Sequence, residues 1–459
     1  MLPRHDQSVY PRRIEVVQCY RQDHEFSEDM KMTTKCRLVV LLILCAGCIS
    51  AQAQVDCSAT GKLPLVCLIP FTTNASVGTA GLTGVATAAA IDGSIGAQLS
   101  QLPLAVSAPG TAVLVVKGNP EVFDNLGPIL VDRPDSVGRG NLVFGFNFQQ
   151  FTFNHLDGIA LGAVPFAYYA SANGSNQYIE QSQHISFKYN QYVALATYGL
   201  PKGTDITVIV PYARVSIGAG AISASAYNLN AQNQIVSTNG IGNSFVPGFA
   251  SGIGDVAINV KHVLWNGGEG GRGSLAAGGV FRIPSGDALN YLGAGAYGFN
   301  AYALASYKWR VSPHAKIAYQ WNTNSVLLNT SGTGPNKQLP GGVQFNAGAD
   351  VGVNSHLTVS ADILANQTVN ANSLNIGTIN LTYATPPPPP ASSSATLTTV
   401  NTFQDTYTTA NLSAGLKWKP FRKLNLILYG NVLMQLNNVG LRPDPSPSGG
   451  ISLSFKTLR

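Results

Sequence analysis

From about residue 141 onward, segments of roughly ten residues alternate apolar with polar or small side chains, as strands with one apolar face do. Between Leu424 and Asn437, Leu424, Leu426, Leu428, Val432, Met434 and Leu436 share one parity, and Asn425, Tyr429, Asn431, Gln435 and Asn437 share the other. In the same way Leu357, Val359, Ala361 and Ile363 oppose Thr358, Ser360 and Asp362, while Val256, Ile258, Val260 and Leu264 oppose Asp255, Asn259 and Lys261. The pattern predicts twelve strands, at 141–153, 184–198, 205–218, 252–265, 274–283, 299–310, 315–323, 342–353, 356–368, 408–419, 424–437 and 449–457. The first is irregular. Leu142, Phe144, Phe146 and Phe148 share a face, but Phe151 and Phe153 have the opposite parity, and a bulge near Gln149 would reconcile them.

The connections alternate short with long. Leu200 to Asp205, Asn266 to Gly273, Val311 to His314, Asn354 to His356 and Lys419 to Lys423 are tight; Asn154 to Gln183, Ala219 to Ser251 and Asn370 to Tyr407 are long. Strict alternation describes an up-and-down antiparallel meander with its tight turns at one end, and an even strand number puts both chain ends there too. The expected fold is all-β: a transmembrane barrel of about 12 strands in residues 139–459, with short periplasmic turns and long outer loops. The run Pro386 to Pro390 falls in an outer loop, where a stiff spacer can stand in water.

Carried round the barrel, parity points Lys188, Arg214, Asp255, Asn259, Lys261, Arg282, Lys308, Arg310, Lys316, Asp350, Asp362 and Lys417 inward. Trp309, Trp321, Trp418, Tyr307, Tyr319 and Phe455 fall on the lipid face near strand ends, as aromatic girdles require. A functional reading of the inward charges is a lumen that favours anions or polarisable ligands. A structural reading, preferred because buried charges must be paired, is that Asp255, Asp350 and Asp362 pair with neighbouring Lys and Arg to fill a narrow barrel. Gly254-Asp255 and Gly286-Asp287 are explained by tight turning at least as well as by ligand contact.

Composition agrees with a barrel in a membrane. Charged residues make up 11% of the chain, against about 25% in ordinary globular proteins. After residue 55 no stretch has the ~20 uninterrupted apolar residues of a spanning helix, so a crossing must be made by closed strands. The net charge of +6 is scattered, without a basic cluster carrying interleaved aromatics, which argues against nucleic-acid binding. His155, His314 and His356 fall in turns or loops, too dispersed for a metal site, and no cofactor motif occurs.

Residues 32–53 have the three parts of a secretory signal: Lys35 and Arg37, the apolar Leu38 to Leu44, and the small-residue site Ala51-Gln52-Ala53. Met32 (or Met30) then reads as the start, and residues 1–31 as a gene-model extension. Cys45-Ala46-Gly47-Cys48 offers the competing reading of a lipoprotein site with Cys48 lipidated, although Cys45 stands where Leu is usual. After cleavage at Ala53 only Cys57 and Cys67 remain, and two cysteines in an exported chain suggest a disulfide. Residues 54–138 lie outside the strand pattern. Their low charge, the apolar runs Ala112 to Val116 and Gly127 to Val131, and a short helix expected near Ile91 to Leu102 suggest a plug in the lumen; a periplasmic appendage is the alternative.

Several short motifs resemble the outer-membrane transporters assigned to the MetA pathway of phenol degradation. They are Gly252-Ile253-Gly254-Asp255, Phe281-Arg282-Ile283-Pro284-Ser285-Gly286-Asp287, the turn from Tyr198 through Pro201 to Ile206, and Gly440-Leu441-Arg442-Pro443-Asp444 before the last strand. The resemblance spans most of residues 139–455. It implies a channel that passes small hydrophobic or aromatic solutes across the outer membrane of a Gram-negative-type envelope, with lipids and the barrel-assembly machinery as partners. That machinery generally reads a terminal aromatic, whereas here Phe455 is followed by Lys456-Thr457-Leu458-Arg459. The alternative is a structural or adhesive barrel whose Thr/Ser/Asn-rich outer loops bind surfaces. A lipid hydrolase is the remotest reading: His184-Ile185-Ser186 has the two-apart spacing of outer-membrane phospholipases, but Phe187-Lys188 replaces their Ser-Asn-Gly continuation, and parity aims the pair into the lumen.

Overall fold

The computed structural model describes residues 63–75, 82–102, 125–172, 175–243, 245–267, 272–328, 336–385, 393–421 and 424–456. The expected signal (32–53), the extension before it, Cys48, Cys57 and the Pro386 to Pro390 run lie outside the described residues.

Twelve antiparallel staves close into a barrel: β1 (Asn141–Leu156), β2 (Ser175–Gly199), β3 (Thr204–Leu229), β4 (Val246–Ile253, continued by Ala257–Trp265), β5 (Gly273–Arg282), β6 (Gly298–Tyr307), β7 (Val311–Asn322), β8 (Gly341–Asn354), β9 (Leu357–Thr382), β10 (Ser394–Trp418), β11 (Leu426–Gln435) and β12 (Ser446–Lys456). Closure is made by β1. It pairs with β2 from Leu142↔Tyr198 to Phe153↔Phe187 and with β12 from Asn141↔Lys456 to Gln149↔Ser448. With no open edge, every stave has a neighbour on each side to take its backbone hydrogen bonds, the condition for crossing lipid.

The exterior of these staves is apolar. Val208, Val210, Ile363 and Leu416 point out, and Trp309, Trp321, Trp418, Tyr307, Tyr319 and Phe455 are each between 45% and 57% exposed, the girdle geometry of an outer-membrane barrel. No bulge occurs near Gln149, because the β1–β2 register runs unbroken to Phe153. Phe151 and Phe153 instead point inward and are buried, stacked on each other at 5.9 Å, with Phe187 lying 5.4 Å from Phe153.

Four staves overshoot the membrane. β2, β3, β9 and β10 have 25 or 26 residues, where about 9–11 suffice to cross. β2 and β3 pair from Asn176↔Leu229 down to Gly199↔Asp205, and β9 and β10 from Leu357↔Trp418 out to Thr382↔Ser394. Two ribbons therefore stand above the barrel. The first is widened by Val164–Ala172 on β2 and Ile235–Ile241 on β3. They meet through Ala167, Leu229, Ile235, Leu381 and Leu397, and through hydrogen bonds from Thr398 N to Glu180 and from Ala167 N to Thr399 Oγ1. Much of what the sequence suggested as long loops is thus strand.

The lumen is filled from the N-terminal side. A turn at Leu65–Cys67 leads into α1 (Leu68–Ala75), and α2 (Leu82–Leu99) follows. Leu65, Val66, Leu68, Ile69, Ala88, Ile91 and Ile95 join the inward Phe151, Phe187, Ile217 and Leu374 in one core. A helix apolar on more than one face is stable only when surrounded, and the barrel interior supplies those surroundings. Gly96 lets α2 approach Leu327, which a Cβ there would meet at 3.0 Å.

Candidate functional site: the lumen floor and the cavity above it

Residues 125–138 run across the tight-turn end of the lumen before entering β1, and most of their charged and polar side chains find partners on the wall. Leu126 N donates to Thr358 Oγ1 (2.9 Å), and Lys417 Nζ donates to the Leu126 carbonyl (3.3 Å). Arg133 forms a buried ion pair with Asp350. Asp132 lies 3.3 Å from Lys261, whose ammonium also donates to the Arg133 carbonyl (3.0 Å). Asp135 pairs with Lys308. Asp205 accepts from Ser136 Oγ (2.6 Å) and Val137 N (3.2 Å). His314 is clamped between Asp350 (3.1 Å) and Asp362 (2.7 Å). Burying so many charges is tolerable only because each has a partner, an opposite charge or, for Lys417, the Leu126 carbonyl.

Nine of the twelve residues assigned to the lumen by parity sit inside: Asp255, Asn259, Lys261, Arg282, Lys308, Lys316, Asp350, Asp362 and Lys417. Three do not. Lys188 and Arg214 are exposed on the outside of β2 and β3, since the odd residues of both staves there face in. The Arg214 guanidinium lies 5.6 Å from the ring of outward-facing Phe249. Both stand roughly ten residues from the tight turn, about 25 Å up a tilted strand, where a long cation reaches the outer headgroups without entering hydrocarbon. Arg310 is exposed in the turn between β6 and β7. His184 and Ser186 likewise lie on the outer side of β2, not in the lumen, and His184 bonds the Gly162 carbonyl (3.1 Å).

Sequence reasoning missed Arg133, Asp132, Asp135, His314 and Arg442. The first three precede the strand pattern. His314 was read as a turn residue, but β7 starts at Val311 and turns it inward. Arg442 follows a short apolar run that gives no parity. The resemblance to a transporter motif around Gly440-Leu441-Arg442-Pro443-Asp444 was the one available signal.

Above the floor a cavity of about 200 Å³ lies between the C-terminal end of α2 and the walls of β5 to β11. Arg282 enters it from the end of β5, donating to Ser100 O (2.9 Å) and Asn322 Oδ1 (2.8 Å), with Asp255 3.7 Å away. Lys316 Nζ sits 4.9 Å from the Tyr302 ring centre. Arg442 donates to the Ala410 carbonyl (2.7 Å) and to Gln435 (3.3 Å). The motif acids are structural: Asp255 accepts from Gly286 N (3.0 Å) and Ala294 N (2.7 Å), and Asp287 caps the following turn through Leu289 N (3.1 Å).

The helix α2 is docked by polar contacts as well as packing. Tyr291 donates to Asp92 Oδ1 (2.8 Å), Ser94 Oγ to Asn372 O (3.1 Å), and Gln101 accepts from Asn366 and Thr368 (2.8 Å each). Burial pushes the Asp92 carboxyl well above the usual carboxylate range, and the Tyr291 hydrogen bond only partly offsets it. Among the described residues no group of three or more His, Cys, Asp or Glu is arranged to hold a metal.

No protein-family model matches the sequence, and no curated protein matches it. Among solved structures the chain is similar to an outer membrane channel from Pseudomonas putida F1, at 11% identity and a TM-score of 0.41, over 70% of this chain and 97% of that one. It is also similar to a FadL homologue from Pseudomonas aeruginosa (9% identity, TM-score 0.27, covering 69% and 90%). CdiB from Escherichia coli matches at 11% identity and a TM-score of 0.26, covering 68% and 63%. Identities of 9–11% and TM-scores below 0.5 leave the functional reading to this chain's own geometry. That geometry, a closed twelve-stave barrel with an apolar, aromatic-girdled exterior, is that of an integral outer-membrane protein.

Proposed function

We propose that the protein is an outer-membrane channel for small, mainly hydrophobic or aromatic molecules, normally closed by its own N-terminal segment. The observation that carries this is the way the lumen is shut. A wall built for strength alone would pair its charges with one another. Here some do, as Arg282 with Asp255 and Lys261 with Asp205, but Lys261, Lys308 and Asp350 also take Asp132, Asp135 and Arg133 of a separate crossing segment, whose release would break three ion pairs together. Above that segment the interior holds a cavity, not continuous packing. Residues 54–138 thus act as a plug, and the C-terminal strand ending in Phe455 serves as the recognition element for barrel assembly.

A porin-deficient host expressing the protein, supplied with radiolabelled toluene, should take it up faster than the same host without it. Weakening the floor should raise the rate further. Equal uptake in all three would count against transport. The two tall ribbons favour a second reading, adhesion to a surface. Trimming both ribbons should then abolish cell binding while leaving uptake intact.

A further inference from the structure

We infer that the cavity beside the C-terminal end of α2 binds a small organic carboxylate: a compact apolar body bearing one negative charge. The inference deepens the channel reading, on which its physiological meaning rests, by naming a solute class for the lumen.

Size comes first. A cavity of about 200 Å³ compares with the ~150 Å³ that accommodates benzene in an apolar protein interior, so it has room for one ring with a substituent. Charge comes second. Arg282, Lys316 and Arg442 line the cavity, and no Asp or Glu does. Asp255 offsets Arg282, but among the described residues neither Lys316 nor Arg442 has a carboxylate within ion-pairing distance. Elsewhere in the lumen Lys261, Lys308 and Arg133 all have acids, and Lys417 is held by the Leu126 carbonyl. Two of the three inward cations without an acid at ion-pair distance among the described residues, Lys316 and Arg442, therefore stand where the space is.

Hydrogen bonding comes third. Three donors, Gln98 Nε2, Tyr407 Oη and Arg282 Nε (the last facing Asp255 at 3.7 Å), are buried at the cavity with no hydrogen-bond partner, against one such acceptor, Asn300 Oδ1. Unmade bonds of this kind are unfavourable for a folded protein, and those to charged groups are the strongest when made. A neutral hydrocarbon would leave these donors unbonded and the two cations without a counter-charge, and a cation would be repelled. An inorganic anion would satisfy the donors but leave the apolar part of the lining, Leu130, Phe151, Leu364 and Leu433 among it, against water. Only an amphipathic anion answers both halves.

The test uses the full-length protein in detergent, with benzoate as the anionic probe and benzyl alcohol as its near-isosteric neutral counterpart, each followed by calorimetric titration. Benzoate should bind saturably and at least about tenfold more tightly than benzyl alcohol, the ratio expected for one charge-assisted contact. Arg442→Gln and Lys316→Met should each weaken benzoate about tenfold and leave benzyl alcohol unchanged. Heat-modifiable migration in gels checks that each variant is folded; if one is not, the other and the wild-type ratio decide. Equal binding of the two probes, no benzoate binding, or benzoate binding indifferent to both substitutions would overturn the inference. Bilayer conductance of the same preparation separates the two ideas. A conducting protein without benzoate preference refutes only the solute class, whereas a barrel that binds benzoate but never conducts refutes the channel and leaves the site standing.

Discussion

Asp350→Asn should unlatch the floor. Asp350 holds Arg133 on one carboxylate oxygen and faces His314 on the other, and both partners of the Arg133 ion pair are nearly sealed from water, at 5% and 0% side-chain exposure. Solvent screening therefore gives little relief. Removing one member of such a buried pair destabilises the closed arrangement by about 3–5 kcal/mol, because the remaining charge stays buried without compensation. Lys417, already dependent on the Leu126 carbonyl, loses a neighbouring negative charge as well. The barrel itself keeps its backbone ladder, so the loss falls mainly on the seating of residues 125–138. If so, the ratio of open to closed floor rises by roughly two to three and a half orders of magnitude. Single-channel recording in planar bilayers measures this as open probability, with gel mobility before and after heating as the folding check. The exchanged pair Arg133→Asp with Asp350→Arg should recover part of the closure, as coupled neighbours do. A folded Asp350→Asn protein with wild-type open probability would refute the idea that this ion pair holds the floor.

Other outcomes follow from the same geometry. Val432→Arg puts a cation on the lipid face of β11 and should lower stability in vesicles by about 2–4 kcal/mol if it lies near the midplane, whereas Asn346→Asp puts a charge in the cavity, opposite Lys316 in the register, and should cost much less; equal losses in urea titrations would disprove the register. The Asp92 carboxyl is raised in the folded state, so α2 is held best while that group is protonated in both folded and unfolded chains, and docking weakens as pH climbs above the unfolded value of about 4. Hydrogen exchange of 82–99 should therefore quicken between pH 4 and neutrality in the wild type and change less in Asp92→Asn; parallel profiles would contradict this. Thiol labelling of the unfolded, non-reduced exported protein should find Cys57 and Cys67 both blocked, and two labelled thiols would reject the bridge.

The faces of the staves were legible because a barrel in lipid imposes a strict period of two: β9 and β11 alternate as their sequences do. That rule fails where the environment is not lipid outside and water inside. Phe151 and Phe153 look like lipid-facing residues, but they meet an apolar plug, so an apolar lumen-facing residue carries the same signature as an outward one. Lys188 and Arg214 look like lumen residues, yet near the outer headgroups a charge on the exterior is not penalised, and parity loses its meaning. The tall ribbons escaped notice for a related reason. Between Asn370 and Thr382 the buried positions of β9 change parity, Ala371 and Ser373 being followed by Leu374 and then Leu381, so no steady apolar alternation is there to read. The cavity could not be read at all, since Arg282 and Lys316 come from separate staves and Arg442 from the connection between β11 and β12, and they converge only when the barrel closes around α2.

The most direct test of a plugged channel is the conductance of the barrel without its plug. Deleting residues 54–136 removes both helices and the floor while leaving every stave intact. The account predicts a protein that still inserts and shows heat-modifiable mobility, with large, steady conductance in planar bilayers where the full-length protein is mostly closed. A folded deletion variant that conducts no better than the full-length protein would mean that the wall residues alone seal the lumen, and the channel reading would fall.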